Sequence, residues 1–345
     1  MRAMILTATG PFGPESSPLQ LADLPMPDPG PYEVRLRVAA CGVCHTELDE
    51  IEGRVETARL PIVLGHEAVG YVDALGDRAS RHRLSDRVGV GWIHHSSGGE
   101  HENLSPEFRA TGRDADGGYA EYMTVHQDYA YPIPEVFSDV EAAPLLCAGG
   151  VGYRALRLSG LRDGEPLGLT GFGGSAHLVL QLVKYRYPRS PVYVFARDPK
   201  QQDFARSLGA DWAGPTEARA PEPLAAIIDT TPAWRPVLEA LHNLRPGGRL
   251  VINAIRKEDA DRDALATISY TEQLWLEKEI KTVANVTALD IAEFLPLAAA
   301  VPLTPEVQLY SLEDANEALR DLKYGEIRGA KVLTMAGPYR RSASR

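Results

Sequence analysis

Val34-Arg35-Leu36-Arg37-Val38 alternates apolar and polar residues with a period of two, which predicts a strand with one buried face. Similar short pieces follow at Ala68-Val69-Gly70-Tyr71-Val72, Arg87-Val88-Gly89-Val90 and Tyr119-Ala120-Glu121-Tyr122-Met123-Thr124-Val125. Pro25, Pro27, Pro29, Gly30 and Pro31 mark the turn region ahead of the first. Short strands among closely spaced glycines predict a small barrel-like β domain.

From about residue 150 the pattern changes. Gly152-Tyr153-Arg154-Ala155-Leu156 opens a helix, and continuous apolar runs then alternate with helical periodicity. Leu167-Gly168-Leu169-Thr170, Val192-Tyr193-Val194-Phe195, Ala226-Ile227-Ile228-Asp229 and Arg249-Leu250-Val251-Ile252 read as strands buried on both faces. Helices are predicted from His177 to Val183, Gln201 to Leu208 and Trp234 to Leu244, with a turn at Pro246-Gly247-Gly248. This βαβ rhythm predicts a doubly wound parallel sheet in an α/β protein. The chain is expected to return to its first domain near Val286, giving one domain over residues 1–149 and 286–345 and another over 150–285. In the return, Ser311-Leu312-Glu313-Asp314 reads as a capping-box start for a helix through Leu322. Lys331-Val332-Leu333-Thr334 reads as a closing strand, and the polar tail from Gly337 as frayed.

Composition narrows the function. The 345 residues carry a net charge of −11, which argues against a nucleic-acid or anionic-membrane surface. No apolar run approaches a membrane span, and the N-terminus lacks the apolar stretch of a signal peptide. Three cysteines are too few for a disulfide framework and fit a reducing, cytoplasmic setting.

Two constellations carry chemistry. Gly171-x-Gly173-Gly174-Ser175-Ala176 lies between a predicted strand and a predicted helix, where it can cradle a dinucleotide pyrophosphate on backbone N–H groups. At the end of the next strand, Phe195-Ala196-Arg197-Asp198 offers Ala196 where an acidic residue would hold the ribose hydroxyls of NAD(H), and Arg197 to pair with a 2′-phosphate. That favours NADP(H), although a shift of one residue would bring Asp198 there instead. The other constellation is Cys44 in Cys41-Gly42-Val43-Cys44-His45-Thr46, His66 in Gly65-His66-Glu67, and Cys147 in Leu145-Leu146-Cys147-Ala148-Gly149. Two thiolates and an imidazole are the donor set of a catalytic zinc with an open fourth position.

Together with Asp116-Gly117-Gly118-Tyr119-Ala120-Glu121 and Val283-Ala284-Asn285, these motifs resemble the zinc-dependent alcohol dehydrogenases of the medium-chain dehydrogenase/reductase superfamily, from Met4 to about Met335. The resemblance implies a GroES-like β-barrel catalytic domain beside a Rossmann domain. It also implies hydride transfer between a small alcohol or carbonyl substrate and NAD(P)(H), in a homodimer or homotetramer. Cys44, His66 and Cys147 would hold the zinc, with Glu67 able to ligate transiently. Thr46 would take the alcohol proton, and His45 and Arg328 would lie near the pyrophosphate.

The sequence departs from that family in two places. Many relatives hold a structural zinc with four cysteines in the lobe that here runs from Ile93 to Ser105, where there is none. We therefore expect no structural zinc, and a solvated loop at His94, His95 and His101. Asp49 stands where many relatives have the histidine that ends a proton relay. Either Asp49 accepts the proton or the relay passes from ribose to water. Two further readings stay open: reduction of an activated C=C or C=N bond on the same scaffold, and a non-catalytic nucleotide-binding relative.

Overall fold

Strand β3 (Glu33–Val43) organises the first part of the chain; it follows β1 (Arg2–Leu6) and β2 (Leu19–Asp23). Val34, Leu36, Val38 and Ala40 are buried at alternate positions, as the sequence pattern requires, and Cys41 to Val43 are then buried without a break. The computed structural model describes residues 1–301, 303–325 and 329–335. Beyond β3 come α1 (His45–Ile51), β4 (Ile62–Val63), β5 (Ala68–Leu75), β6 (Arg87–Val90), β7 (Ile93–His95), β8 (Arg109–Ala110), β9 (Tyr122–His126), β10 (Ala130–Pro132) and the short α2 (Asp139–Ala142).

The next segment contributes α3 (Ala148–Ser159), β11 (Leu167–Thr170), α4 (Gly174–Arg186), β12 (Val192–Phe195), α5 (Pro199–Ser207), β13 (Trp212–Gly214), β14 (Leu224–Asp229), α6 (Arg235–Asn243), β15 (Leu244–Ile252) and β16 (Glu279–Thr282). After it come α7 (Ala288–Ala300), β17 (Val307–Ser311), α8 (Ala315–Tyr324) and β18 (Ala330–Thr334). Two compact units result. One contains Met1–Cys147, Val286–Ala299 and the chain from Thr304 on; the other contains Ala148–Asn285 and Ala300–Leu303.

In the first unit β3 pairs with β5, with β9 along its first half and with β18 along its second, in a seven-stranded sheet. The second unit is a six-stranded parallel sheet ordered β13-β12-β11-β14-β15-β16, the doubly wound arrangement expected of alternating strands and helices. Helix α6 packs Val237, Ala240 and Leu241 against Phe195, Ile227 and Leu250. No helix among the described residues is long and apolar enough to cross a membrane.

Several local expectations are corrected. Tyr119 and Ala120 do not belong to β9: Tyr119 N–H donates to Leu64 O at 2.9 Å, Met4 N–H donates to Tyr119 O at 2.8 Å, and Ala120 bridges Ala3. The backbone groups of this segment are thus claimed by β1 and the turn after β4. Pro246-Gly247-Gly248 is not a turn ahead of a strand but a bulge inside β15, whose pairing jumps from Leu244↔Leu224 to Arg249↔Ala226. The hydroxyl of Ser311 donates to the Asp314 carboxylate at 2.6 Å instead of closing a capping box, and the first turn is a tight one over Leu312–Asp314. The tail from Gly337 lies outside the described residues.

The cysteine-free lobe is held by a buried carboxylate. Glu102, 2 % exposed, accepts the Tyr129 hydroxyl at 2.8 Å and the Ala288 N–H at 2.5 Å, while Ser96 Oγ donates to its carbonyl at 2.7 Å. Glu102→Ala would leave a buried hydroxyl and a half-buried N–H without an acceptor. We expect a loss of about 3 kcal/mol and a thermal midpoint lower by roughly 5 °C or more. A variant melting with the parent protein would deny Glu102 this role.

Candidate metal centre and nucleotide loop

Three separate turns bring the cluster together within the first unit. Cys44 follows β3 directly and caps α1 in extended backbone (φ −117°, ψ 165°). His66 and Glu67 follow Gly65, whose φ of +97° favours glycine and whose missing side chain leaves room for the Tyr119 ring. The Asp116-to-Tyr119 motif fixes that turn: Gly118 N–H donates to Gly65 O at 2.9 Å, and Asp116 accepts Val63 N–H at 3.0 Å. Cys147 follows a tight turn over Ala143–Leu146 that is anchored by the fully buried Leu145 and Leu146.

Cys44 Sγ lies 3.9 Å from Cys147 Sγ, and His66 Nε2 lies 3.3 Å from Cys147 Sγ. The ligand atoms of Cys44, His66, Glu67 and Cys147 all fall within 4.8 Å of one another. Two sulfurs, an imidazole nitrogen and a carboxylate oxygen at that spacing fit a small, borderline-soft divalent cation. Among the described residues this is the one such grouping, and His94, His95 and His101 are not in it.

Burial and mutual contact shift each member of the cluster. The hydrogen bond with Cys147, reinforced by His66, pulls the Cys44 thiol well below the ordinary thiol range despite its burial. That bond and burial push Cys147 up. Burial opposes a charged His66, but Glu47 and Cys44 outweigh it and raise the imidazole. Glu67 is pushed up by burial and by the Cys44 thiolate.

Glu47 is the functional residue that sequence reasoning missed. Its Oε1 lies 2.6 Å from His66 Nδ1, and its Oε2 accepts the Cys44 N–H at 2.8 Å. One fully buried carboxylate therefore orients two members of the cluster, and Trp92 holds the imidazole edge-on at 4.7 Å. The available signal was the Glu three residues after Cys44, which reads equally well as an ordinary helix cap.

The other expected site residues are placed as follows. Thr46, 7 % exposed, has its Oγ1 3.7 Å from Cys44 Sγ, and His45 is exposed at the first residue of α1. Asp49 is buried, and its Oδ1 accepts Nε and a terminal nitrogen of Arg54 at 2.7 and 2.6 Å. In the second unit the glycine loop joins β11 to α4. Gly171 has a φ of +75°, Gly173 caps the helix, and Gly174, Ser175 and the buried Ala176 form its first turn. Ser175 Oγ donates to Ala148 O at 2.9 Å. Ala196 is buried after β12, Arg197 is exposed, and Asp198 caps α5 by accepting Lys200 N–H at 2.9 Å. Arg328 lies outside the described residues.

Residues 30–135 match the alcohol dehydrogenase GroES-like domain. The chain is 38 % identical over 344 residues to a probable alcohol dehydrogenase, AdhA, of Mycobacterium tuberculosis, covering 96 % of this chain and 97 % of that protein. An alcohol dehydrogenase of Geobacillus stearothermophilus is 31 % identical, with 92 % and 96 % covered. Among solved structures, a cinnamyl alcohol dehydrogenase of Sorghum bicolor superposes with a TM-score of 0.81 at 26 % identity, over 98 % of each chain.

Proposed function

Because the chain belongs to the zinc-dependent alcohol dehydrogenases of the medium-chain dehydrogenase/reductase superfamily, enzymes that interconvert alcohols and carbonyl compounds, we propose that it works with one catalytic zinc and NADP(H). The observation that carries this reading is the convergence of Cys44, His66, Glu67 and Cys147. Cys44, His66 and Cys147 would hold the ion, with Glu67 close enough to serve as a transient further donor. A zinc bound there would supply Lewis-acid polarisation of the substrate oxygen. The nicotinamide would supply the hydride chemistry.

The proton work falls to the chain. Thr46 is the hydroxyl beside the cluster, able to take the proton of an alcohol at Oγ1 and pass its own onward. Asp49 stands outside that proton path in this reading, because its Oδ1 already meets two nitrogens of Arg54. Asp49→Asn is therefore expected to change alcohol oxidation by less than about tenfold, whereas losing a working general base costs about a hundredfold or more. A loss of that larger size in the pH–rate profile would restore Asp49 to the relay.

Nucleotide preference follows from the end of β12. Ala196 itself brings no acidic side chain to the end of β12, Asp198 turns one carboxylate oxygen to the start of α5, and the exposed Arg197 can pair with a 2′-phosphate. The test is metal analysis of the purified chain, with NADPH and NADH oxidation followed over a panel of aldehydes. One zinc per chain and faster turnover with NADPH are expected. A metal-free protein with full activity, or no turnover with either nucleotide, would overturn the reading.

A further inference from the structure

The strand order of the second unit reverses between β11 and β14, and sheets of this kind bind ligands outside the carboxyl ends of their strands at such a reversal. Thr170 ends β11 and Asp229 ends β14, and the two are paired in register. Asp229 is fully buried. Its Oδ1 accepts the hydroxyls of Thr170 and Thr231 at 2.6 and 2.8 Å, and its Oδ2 pairs with the ammonium of Lys257. Lys257, with a side chain 7 % exposed, comes from the loop after β15 and also donates to Thr231 O at 2.6 Å. Thr230 and Thr231 are the residues against which Gly171 packs: a Cβ there would come within 2.9 Å of Thr231 Cγ2 and 3.0 Å of Thr230 Oγ1.

We propose that Lys257, acting through Asp229 and the Thr230–Thr231 turn, is a positioning residue for the nicotinamide half of the dinucleotide. The proposal rests on the nucleotide reading above. The glycine loop takes the pyrophosphate and the end of β12 takes the adenosine half, which leaves the carboxyl ends of β14 and β15 to the other nucleotide. There the chain buries an ion pair where a well-packed apolar pair would cost less desolvation. What the pair supplies is fixed geometry: one carboxylate ties together the ends of both central strands, the turn under Gly171 and the loop after β15.

The test compares full-length Lys257→Met with the parent protein in titrations of NADPH and of 2′-phospho-ADP-ribose, which lacks the nicotinamide. NADPH should bind the variant about tenfold or more weakly, while 2′-phospho-ADP-ribose binds within about twofold of the parent value. Lys257→Arg should recover most of the NADPH affinity. Equal NADPH affinity in parent and variant would overturn the proposal, and so would equal weakening of both ligands, the mark of a merely structural role. A parent protein binding neither NADPH nor NADH would instead remove the nucleotide reading on which it rests. Should Lys257→Met not fold, Lys257→Gln removes the charge, keeps a donor for Thr231 O and carries the same comparison.

Discussion

Replacing Cys147 by serine is expected to empty the metal site and to slow alcohol oxidation by about a thousandfold or more, the scale of several kcal/mol of lost oxygen polarisation. The serine hydroxyl does not ionise in the accessible pH range, so one of the two thiolates would be lost from the four donors that now converge. The fold should survive, because the neighbouring turn is anchored by Leu145 and Leu146 and not by the sulfur. The control is Cys41, buried in β3 and outside the cluster, whose thiol is pushed up by burial and by Glu47 and so stays neutral. Cys41→Ala should keep its zinc. Metal analysis and turnover on the two variants decide the matter: a Cys147→Ser protein that retains one zinc and most of its rate would end the assignment.

The sequence was most legible where burial is most complete. β11 and β12 were located to the residue, because strands covered on both faces leave short runs with no charged residue, each opened here by a proline. β16 was missed for the opposite reason. Glu-Ile-Lys-Thr lies on the edge of the sheet with all four residues exposed, so no face imposes a pattern. The convergence of Cys44, His66 and Cys147 was legible because thiol and imidazole are scarce and chemically distinctive. The buried charge pairs were not. Arg54 on Asp49 and Lys257 on Asp229 pair common charged residues, and only the folded chain reveals which of many carboxylates each one meets.

Glu47 shows what such hidden supports should be worth. Its two oxygens serve different ends of the cluster, one facing His66 Nδ1 and the other the Cys44 backbone N–H. With Nδ1 engaged by the carboxylate, Nε2 is left as the nitrogen that presents a lone pair to a cation. Glu47→Gln keeps the size and the acceptor for Cys44 but replaces the anion behind His66 with a neutral amide. Zinc affinity should fall by about ten- to a hundredfold, read by competition with a chelator of known affinity. The loss should appear in the metal titration before it appears in the melting curve, because the cap on α1 is retained. Burial pushes the Glu47 carboxyl up, and His66 partly offsets this. A variant holding zinc as tightly as the parent across the pH range would show that His66 needs no carboxylate behind it.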